Sequence, residues 1–251
     1  MKSTFETVRL SVSDPKLYTP LTIVQVSDLH DACYGAEQNG LIDAIRAERP
    51  DIIVCTGDLF NRRNADAYRN AYRLIERAVK LAPVYVVEGN HEAALGAIGR
   101  ERMDAVAARG ATVLRDNARI VSGVNLIGLR QKASAETLRT LVDPKRFNLV
   151  LCHRPELFGQ YAGTGADLIL CGHAHGGQVQ IGRVALYAPQ QGWFPRYIGG
   201  LYEQNGTKMI VSRGLGDTIP IPRIRVPHEL NVLRLLPAKK EETAYGRETE
   251  V

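Results

Sequence analysis

Short, strongly apolar segments recur along this chain, and polar or turn residues bound each of them. The first are LTIVQV at 21–26, DIIVC at 51–55 and PVYVV at 83–87. They are rich in β-branched residues and too short for buried helices, so they predict strands covered on both faces. The stretches at 36–48 and 65–82 have helical spacing instead. Alternating strands and helices favour a parallel sheet with crossover helices.

The pattern changes after a predicted helix at about 99–109. Residues 111–129 contain short apolar runs punctuated by glycine, which suit antiparallel strands. Two more buried strands are predicted at 147–152 and 166–171. The part from 178 to 236 indicates short strands separated by loops rich in proline and glycine. These elements predict a chain of the α/β class.

The composition is that of an ordinary globular protein, with 45% hydrophobic and 24% charged residues over 251 positions. No linker-like segment divides the chain, so we expect one domain over 1–237, followed by a flexible polar tail at 238–251. No apolar run approaches the roughly 18 residues that a membrane helix needs. Residues 1–15 lack the apolar core of a signal peptide, and we therefore expect a cytoplasmic protein.

The spacing of the cysteines and the net charge bear on which metal sites, disulfides and partners the chain can have. Cys33, Cys55, Cys152 and Cys171 are widely spaced and form no CxxC pair. This spacing predicts free thiols rather than disulfides or a thiolate zinc site. The formal net charge of +5 suits an anionic partner, but a solvated, arginine-rich exterior is the favoured interpretation.

Five apolar runs end in residues of the kind that bind metals. The motifs are VSDLH at 26–30, CTGDLF at 55–60, EGNHE at 88–92, LCHRP at 151–155 and LCGHAHGG at 170–177. In a parallel α/β sheet the carboxyl ends of the strands meet along one edge, where ligands bind. We therefore expect the polar side chains of these motifs to converge. They are Asp28, His30, Asp58, Asn90, His91, His153, His173 and His175.

The types of donor in this set indicate a transition metal. Five of the six histidines lie in the motifs, and His228 is interpreted as a surface histidine. A single histidine is more often structural than a ligand, but five at successive strand ends favour a metal site. In an extended backbone Asp28 and His30 project to the same side, as do His173 and His175. Imidazole, carboxylate and amide donors together suit Mn, Fe or Zn better than Ca or Mg.

The five motifs, in this order, resemble the signature of the calcineurin-like metallophosphoesterase superfamily. The elements are D-x-H, G-D, G-N-H-E, a single H and G-H-x-H, and the resemblance extends over nearly the whole chain. The segments WFPRYIGGLY at 193–202 and VSRGLGDTIPIPRIRVPHEL at 211–230 are similar to a bacterial subgroup of small phosphodiesterases. The resemblance implies the metallo-dependent phosphatase fold, a two-layer β-sandwich of mixed sheets flanked by helices.

The resemblance also implies a dinuclear centre along one sheet edge. Asp28, His30, Asp58 and His175 would hold the first ion, and Asp58, Asn90, His153 and His173 the second, with Asp58 bridging. His91 would be the catalytic residue, stabilising charge on the substrate phosphate or protonating the leaving oxygen. The implied reaction is hydrolysis of a small phosphodiester by a hydroxide that bridges the ions, with phosphomonoesters and pyrophosphates as further options. Nucleotide-linked and lipid-linked phosphoesters both fit.

Two other functions are compatible with the same fold. A non-catalytic binding scaffold is disfavoured because the ligand set is complete and His91 follows Asn90. A nuclease is disfavoured because the charge is modest and no basic run is present, so no nucleic-acid partner is expected. The chain lacks the GxSxG motif of serine hydrolases and the GxxxxGK motif of P-loop proteins.

Two further features bear on the substrate. Arginines near the motifs could hold a phosphate, although an exposed or structural role is the favoured interpretation for each of them. Among them Arg213 is the tentative choice for substrate binding. The segment WFPRY at 193–197 places amphipathic aromatic residues beside an arginine, a combination found at membrane interfaces. Packing within a loop is the favoured interpretation of this segment, and peripheral membrane contact is the alternative. No feature of the sequence indicates the oligomeric state.

Overall fold

Two six-stranded mixed sheets form the centre of the molecule in a computed structural model, which describes residues 4–63, 68–177, 180–181, 184–188, 191–217 and 223–238. The strands in chain order are β1 (Phe5–Asp14), β2 (Leu21–Val26), β3 (Ile52–Cys55), β4 (Val84–Val86), β5 (Thr112–Val113), β6 (Asn117–Val121), β7 (Val124–Gly128), β8 (Asn148–Leu151), β9 (Leu168–Cys171), β10 (Gln180–Ile181), β11 (Val184–Ala185), β12 (Tyr187–Ala188), β13 (Gly192–Trp193), β14 (Gly200–Gln204), β15 (Thr207–Val211) and β16 (His228–Pro237). The α-helices are α1 (Asn39–Ala47), α2 (Arg69–Ala78), α3 (Asn90–Ala94), α4 (Ala97–Ala108), α5 (Ala135–Leu141) and α6 (Phe158–Tyr161).

The first sheet has the strand order β1-β16-β2-β3-β4-β5. Strands β2 to β5 are parallel, as the alternation of strands and helices predicts. Strand β16 runs antiparallel to β2 and parallel to β1. No strand was predicted at β1, because this edge strand is rich in polar residues and buries only Val12 fully.

The second sheet has the strand order β14-β15-β9-β8-β7-β6. Its four inner strands are parallel, and the outer strands β14 and β6 run antiparallel to their neighbours. The antiparallel pairing predicted over 111–129 is therefore right for β6 and β7. It is wrong for β5, which follows the crossover helix α4 and extends the parallel order of the first sheet beside β4.

Helices cover the outer faces of both sheets. Side chains of α1, α2 and α4 pack on the first sheet, with Ile42, Leu74 and Met103 fully buried there. Side chains of α5 and α6 pack on the second sheet. A third apolar cluster fills the space between the sheets, where Ile23 faces Leu149 and its neighbours. The predicted β-sandwich of mixed sheets flanked by helices is confirmed.

The helix boundaries differ from those predicted. Helix α1 begins at Asn39 rather than 36, because Glu37 and Gln38 have left-handed backbone and form part of a 3-10 turn. The helix predicted over 65–82 is shorter and corresponds to α2; part of its first turn lies outside the described residues. Helix α4 matches the prediction at 99–109 to within two residues.

Further predictions concern the cysteines, membrane-spanning helices and the C-terminal tail. The four cysteines are free thiols, of which only Cys33 is exposed. No helix in the described ranges is long and apolar enough to cross a membrane. The predicted tail lies outside the described residues except for Ala238, and the domain boundary at 237 stays a prediction.

Candidate metal centre

The carboxyl ends of β2, β3, β4, β8 and β9 meet along one edge of the sandwich. All eight side chains predicted to form the site converge there, in three overlapping groups of nitrogen and oxygen donors. Seven of the eight residues are buried, and Asn90 is half-buried. The convergence follows from the sheet order, because parallel strands deliver the residues after their ends to one place.

The first group contains Asp28, His30 and His175. The Nε2 atoms of His30 and His175 are 3.3 Å apart. The Oδ1 atom of Asp28 lies 3.9 Å from His30 Nε2 and 3.6 Å from His175 Nε2. Three donors from two different sheets thus face a common point.

The second group contains Asp58, His153, His173 and Asn90. His153 Nε2 lies 3.2 Å from Asp58 Oδ2, 2.9 Å from Asn90 Oδ1 and 3.1 Å from His173 Nδ1. The other nitrogen of His153, Nδ1, donates to the carbonyl of Thr56 at 2.8 Å. This bond fixes the ring so that Nε2 faces the group.

The third group contains His30, Asp58 and His91, and through it Asp58 joins the other two. Its Oδ2 atom is 3.9 Å from His30 Nε2 as well as 3.2 Å from His153 Nε2. Its Oδ1 atom accepts from the backbone N–H of His91 at 2.8 Å. His91 Nδ1 accepts from the backbone N–H of Arg62 at 3.1 Å, and His91 Nε2 lies 4.0 Å from Asp58 Oδ2. The neutral His91 ring therefore carries its proton on the nitrogen that faces the cluster.

Five of the cluster residues have left-handed backbone, with φ of 49° at Asp28, 48° at His30, 52° at Asp58, 71° at His173 and 48° at His175. This corrects the prediction that the two i, i+2 pairs lie on one side of an extended backbone. The paired side chains reach the cluster through tight left-handed turns instead. Such a conformation costs about 1–2 kcal/mol per residue other than glycine, and this kind of strain is typical of functional sites.

Two glycines allow the backbone to pass close to the carboxylates. A Cβ atom at Gly172 would lie 1.9 Å from Ser27 Oγ and 2.2 Å from Asp28 Oδ2. A Cβ atom at Gly89 would lie 2.0 Å from Asp58 Oδ1. Any side chain at either position would displace a donor of the cluster.

Burial controls the protonation of the imidazoles. Desolvation lowers the pKa of His30 and His173 well below the usual value and lowers that of His175 to about 4. Burial acts in the same direction on His153, but the charge and hydrogen bond of Asp58 outweigh it and raise the pKa of His153 to about 10. Burial raises the pKa of Asp58, and the His153 charge reverses this and holds it well below the usual value.

The role of Glu92 was not identified from the sequence, although the residue lies in the EGNHE motif. Its buried carboxylate accepts from the backbone N–H groups of Asp58 at 2.9 Å, Phe60 at 2.9 Å and Gly89 at 2.6 Å. Burial, aided by the charge of Asp58, raises the pKa of Glu92 to about 7. The glutamate ties together the loops that follow β3 and β4.

Arg223 also contacts the cluster and was missed. Its side chain is only 4% exposed, and it donates to His175 Nδ1 at 2.9 Å and to Asp217 at 2.7 Å. Its contact depends on how a distant loop folds back, which motif spacing does not encode. His228 lies outside the cluster, half-buried and 3.1 Å from the Asp217 carboxylate.

Glu156 is a second carboxylate that lies next to the cluster without belonging to a predicted site. Its Oε1 atom lies 3.9 Å from His173 Nε2. Glu156 Oε2 and His173 Nε2 are both buried and lack hydrogen-bond partners among the described residues. Glu156 also pairs with Arg154 at 3.4 Å.

Arg213, the tentative phosphate ligand, is engaged elsewhere. Its guanidinium forms ion pairs with Glu229 and, at 3.1 Å, with Glu6. Its side-chain carbons lie beneath Gly176, in the turn that carries His175. These contacts describe a structural arginine, and its part in substrate binding stays a prediction.

Comparisons with known proteins agree with this geometry. The sequence profile described as calcineurin-like phosphoesterase matches residues 21–177. The chain is 29% identical over 254 residues to the metallophosphoesterase YkuE of Bacillus subtilis, covering 94% of this chain and 85% of YkuE. It is 26% identical over 230 residues to the phosphodiesterase YaeI of Escherichia coli, covering 86% of this chain and 83% of YaeI.

Two solved structures share the fold. The NAD nucleotidase NadN of Haemophilus influenzae superposes with a TM-score of 0.52 at 14% identity, covering 80% of this chain and 46% of NadN. The sulfate thiohydrolase SoxB of Thermus thermophilus superposes with a TM-score of 0.52 at 12% identity, covering 86% of this chain and 56% of SoxB. The chain thus spans about half the length of each. Since the family profile matches more than half of its residues, the chain belongs to the calcineurin-like phosphoesterase family and is a metal-dependent phosphoester hydrolase.

Proposed function

We propose that the chain hydrolyses phosphodiesters with two transition metal ions, Mn, Fe or Zn, bound along this edge of the sandwich. The ligands of the first ion are Asp28, His30, Asp58 and His175, and those of the second are Asp58, Asn90, His153 and His173. The single observation that carries the proposal is the convergence of donors from five strand ends within bonding range of common points.

The donor set fits such ions. Each group combines imidazole nitrogens with carboxylate oxygens, a mixture that first-row transition metals bind well. The lowered pKa values of His30, His173 and His175 leave these rings neutral at pH 7, which is the form that binds metals. His153, whose pKa Asp58 raises to about 10, would release its proton when a metal binds. Asp58 reaches both groups, so one carboxylate can serve two ions.

Two ions held by these residues would polarise a phosphoryl group and lower the pKa of water, and attack at phosphorus would then be possible near neutral pH. The residues of the chain orient this chemistry. Glu92 holds the loop of Asp58 in place through three backbone hydrogen bonds. Gly172 and Gly89 leave the space in which the carboxylates sit.

We assign His91 to the substrate rather than to a metal. Its Nδ1 atom is occupied by the Arg62 N–H, so its Nε2–H points to the cluster. A hydrogen bond from this group would stabilise charge on the phosphoryl oxygens or deliver a proton to the leaving oxygen.

The substrate class rests on similarity. YaeI is named a phosphodiesterase, and we propose a small phosphodiester for this chain, with phosphomonoesters and pyrophosphates as alternatives. Nucleotide-linked and lipid-linked substrates are both compatible with the site. The cytoplasmic location and the single domain over 1–237 stay predictions.

Metal removal and replacement test the proposal. The protein is stripped with a chelator, reloaded separately with Mn²⁺, Fe²⁺ or Zn²⁺, and assayed on bis(p-nitrophenyl) phosphate and p-nitrophenyl phosphate. We expect loss of activity on stripping, recovery with at least one metal, and two bound ions per chain by elemental analysis. Undiminished activity of the stripped protein would contradict the proposal.

The role of His91 has its own test. His91→Asn should retain both ions and lower kcat by about 100-fold or more, because a positioned proton donor contributes on that scale. His228→Asn, outside the cluster, is the matched control and should leave kcat unchanged. Loss of bound metal from a folded His91→Asn protein would show that His91 is a ligand instead.

A further inference from the structure

A hairpin beside the metal centre presents aromatic rings to solvent. Strands β12 and β13 pair antiparallel, with Tyr187 opposite Trp193, and their rings lie 5.9 Å apart. Trp193 is 73% exposed, Phe194 71% and Tyr187 44%. Tyr197 is buried, so packing within the loop accounts for that ring but not for Trp193 or Phe194.

The backbone at Phe194 makes its exposure more informative. Its φ is 54°, a left-handed conformation that a bulky residue rarely adopts and that costs about 1–2 kcal/mol. Its N–H donates to the Leu186 carbonyl at 3.0 Å, which fixes the turn. Because the ring is largely exposed, its burial contributes little to the stability of the fold. A contact outside the chain would explain why this position holds phenylalanine.

The segment that carries these rings lacks acidic residues. The sequence contains no aspartate or glutamate from Leu168 to Tyr202. Arg196 is exposed, and its guanidinium lies 5.2 Å from the centroid of the Tyr197 ring. Within the described ranges Arg196 forms no ion pair with a carboxylate. Exposed aromatic rings beside an unneutralised cation match the headgroup region of an anionic bilayer.

The inner side of this region packs against the metal centre. A Cβ atom at Gly177 would lie 2.4 Å from the Ala185 Cβ, so the backbone before β12 touches the turn that begins with His175. Ala188 of β12 is fully buried. A surface bound on the outer side would therefore lie close to the catalytic edge.

We propose that Tyr187, Trp193, Phe194 and Arg196, here termed the aromatic face, bind the surface of an anionic phospholipid bilayer. The tryptophan and phenylalanine rings enter the headgroup region, and the arginine pairs with lipid phosphates. This binding does not depend on the proposed hydrolysis. It would bring phosphoesters carried by lipids next to the metal centre.

The chain has a single tryptophan, Trp193, so its fluorescence reports on the aromatic face directly. The full chain is mixed with vesicles of equal parts phosphatidylglycerol and phosphatidylcholine, and separately with phosphatidylcholine alone. We expect a blue shift and quenching by brominated lipid with the anionic vesicles, weakened by salt. Unchanged emission with anionic vesicles at low salt would overturn the proposal. A blue shift that grows with protein concentration without vesicles would also overturn it, in favour of a second copy of the chain.

A matched pair of variants localises the binding. Trp193→Ser combined with Phe194→Ser should lower vesicle partitioning, measured by sedimentation, by about tenfold or more. Tyr18→Ser removes an aromatic ring that is 82% exposed near the start of β2, at the opposite end from the site, and should leave partitioning unchanged. Hydrolysis of bis(p-nitrophenyl) phosphate should be the same in both proteins, which shows that each is folded. Equal partitioning of the two variants would overturn the proposal, and the wild-type fluorescence decides it if the double variant does not fold.

Discussion

A cluster of buried polar side chains lies at each end of strands β8 and β9. The two clusters differ in whether every side-chain polar atom has a hydrogen-bond partner within the protein. At the starting end, Asn148 Oδ1 accepts from Asn125 Nδ2 and from the Asp143 N–H, both at 2.8 Å. The two hydrogens of its Nδ2 are shared among the carbonyls of Asp143, Arg146 and Gly165, which lie at 2.9–3.1 Å. Every polar atom of the Asn148 side chain has a hydrogen-bond partner in the protein. We term this starting end of β8 and β9 the closed end.

At the other end of the same strands, His153 and His173 lie with ring nitrogens 3.1 Å apart. His173 Nε2 and Glu156 Oε2 have no hydrogen-bond partners in the described part of the chain. We term this the open end. A buried polar group without a partner costs about 1–3 kcal/mol, so such groups persist where they serve something other than stability. The difference indicates that the closed end stabilises the sandwich, whereas hydrogen bonds within the protein do not satisfy every polar atom behind the donors of the open end.

The largest effect on this comparison is expected from Asp58→Asn, which tests whether the open end serves metal binding rather than stability. The amide can still accept from the His91 N–H, so we expect the fold to persist. Loss of the shared carboxylate should release metal and lower kcat by about 1,000-fold or more, since both groups lose a charged ligand. Elemental analysis, steady-state kinetics and thermal unfolding measure the three effects. A variant with full metal content and normal kcat would remove Asp58 from the metal centre.

Asn148→Ala should have the converse effect at the closed end. It removes one side chain with several hydrogen bonds and leaves one N–H of Asn125 Nδ2 without an acceptor, while the other still donates to the Leu141 carbonyl. We therefore expect the free energy of unfolding to fall by about 3 kcal/mol. The kcat of the folded fraction should not change. Denaturant titration measures the loss, with the exposed Asn117→Ala as the control. A large fall in kcat without loss of stability would show that the two ends are not separate in function.

Glu156→Gln sharpens the comparison within the open end. If Glu156 orients the ring of His173, the variant should weaken metal binding by about tenfold, as substitutions behind metal-ligating histidines do. Glu136→Gln, on α5 with a side chain 77% exposed, is the control. Competition with a chelator measures the affinity. Unchanged affinity would mean that the 3.9 Å separation of the two side chains has no bearing on the metal.

The smallest effect is expected from Lys16→Met at the rim of the closed end. Lys16 Nζ pairs with Asp167 at 2.8 Å, but the lysine side chain is 35% exposed, so water screens the pair. We expect unfolding to become easier by less than about 1 kcal/mol. Denaturant titration beside Arg46→Met, which breaks an exposed pair with Asp43, provides the comparison. A fall in the free energy of unfolding by several kcal/mol would show that Lys16 contributes to stability as part of the closed end.

The sequence was sufficient to locate the eight cluster residues, because each follows the end of a recognisable apolar strand. It did not predict how they reach the cluster, since the left-handed backbone at Asp28 and His173 departs from the extended geometry that simple spacing assumes. Arg223 and Glu156 escaped notice because their contacts arise when loops fold back over the sheet edge. Such contacts depend on tertiary packing and have no local periodicity.

The position of β16 bears on how the protein is made. This strand lies between β1 and β2, so Phe5 pairs with His228 and Gln25 pairs with Asn231. A ribosome must therefore release the residues as far as Pro237 before the first sheet can close. Until then β1 and β2 lack their shared neighbour, and exposed strand edges of this kind favour aggregation. Because Asp28 lies two residues beyond the end of β2, the edge that carries the candidate metal centre is expected to form only after β16 has been released.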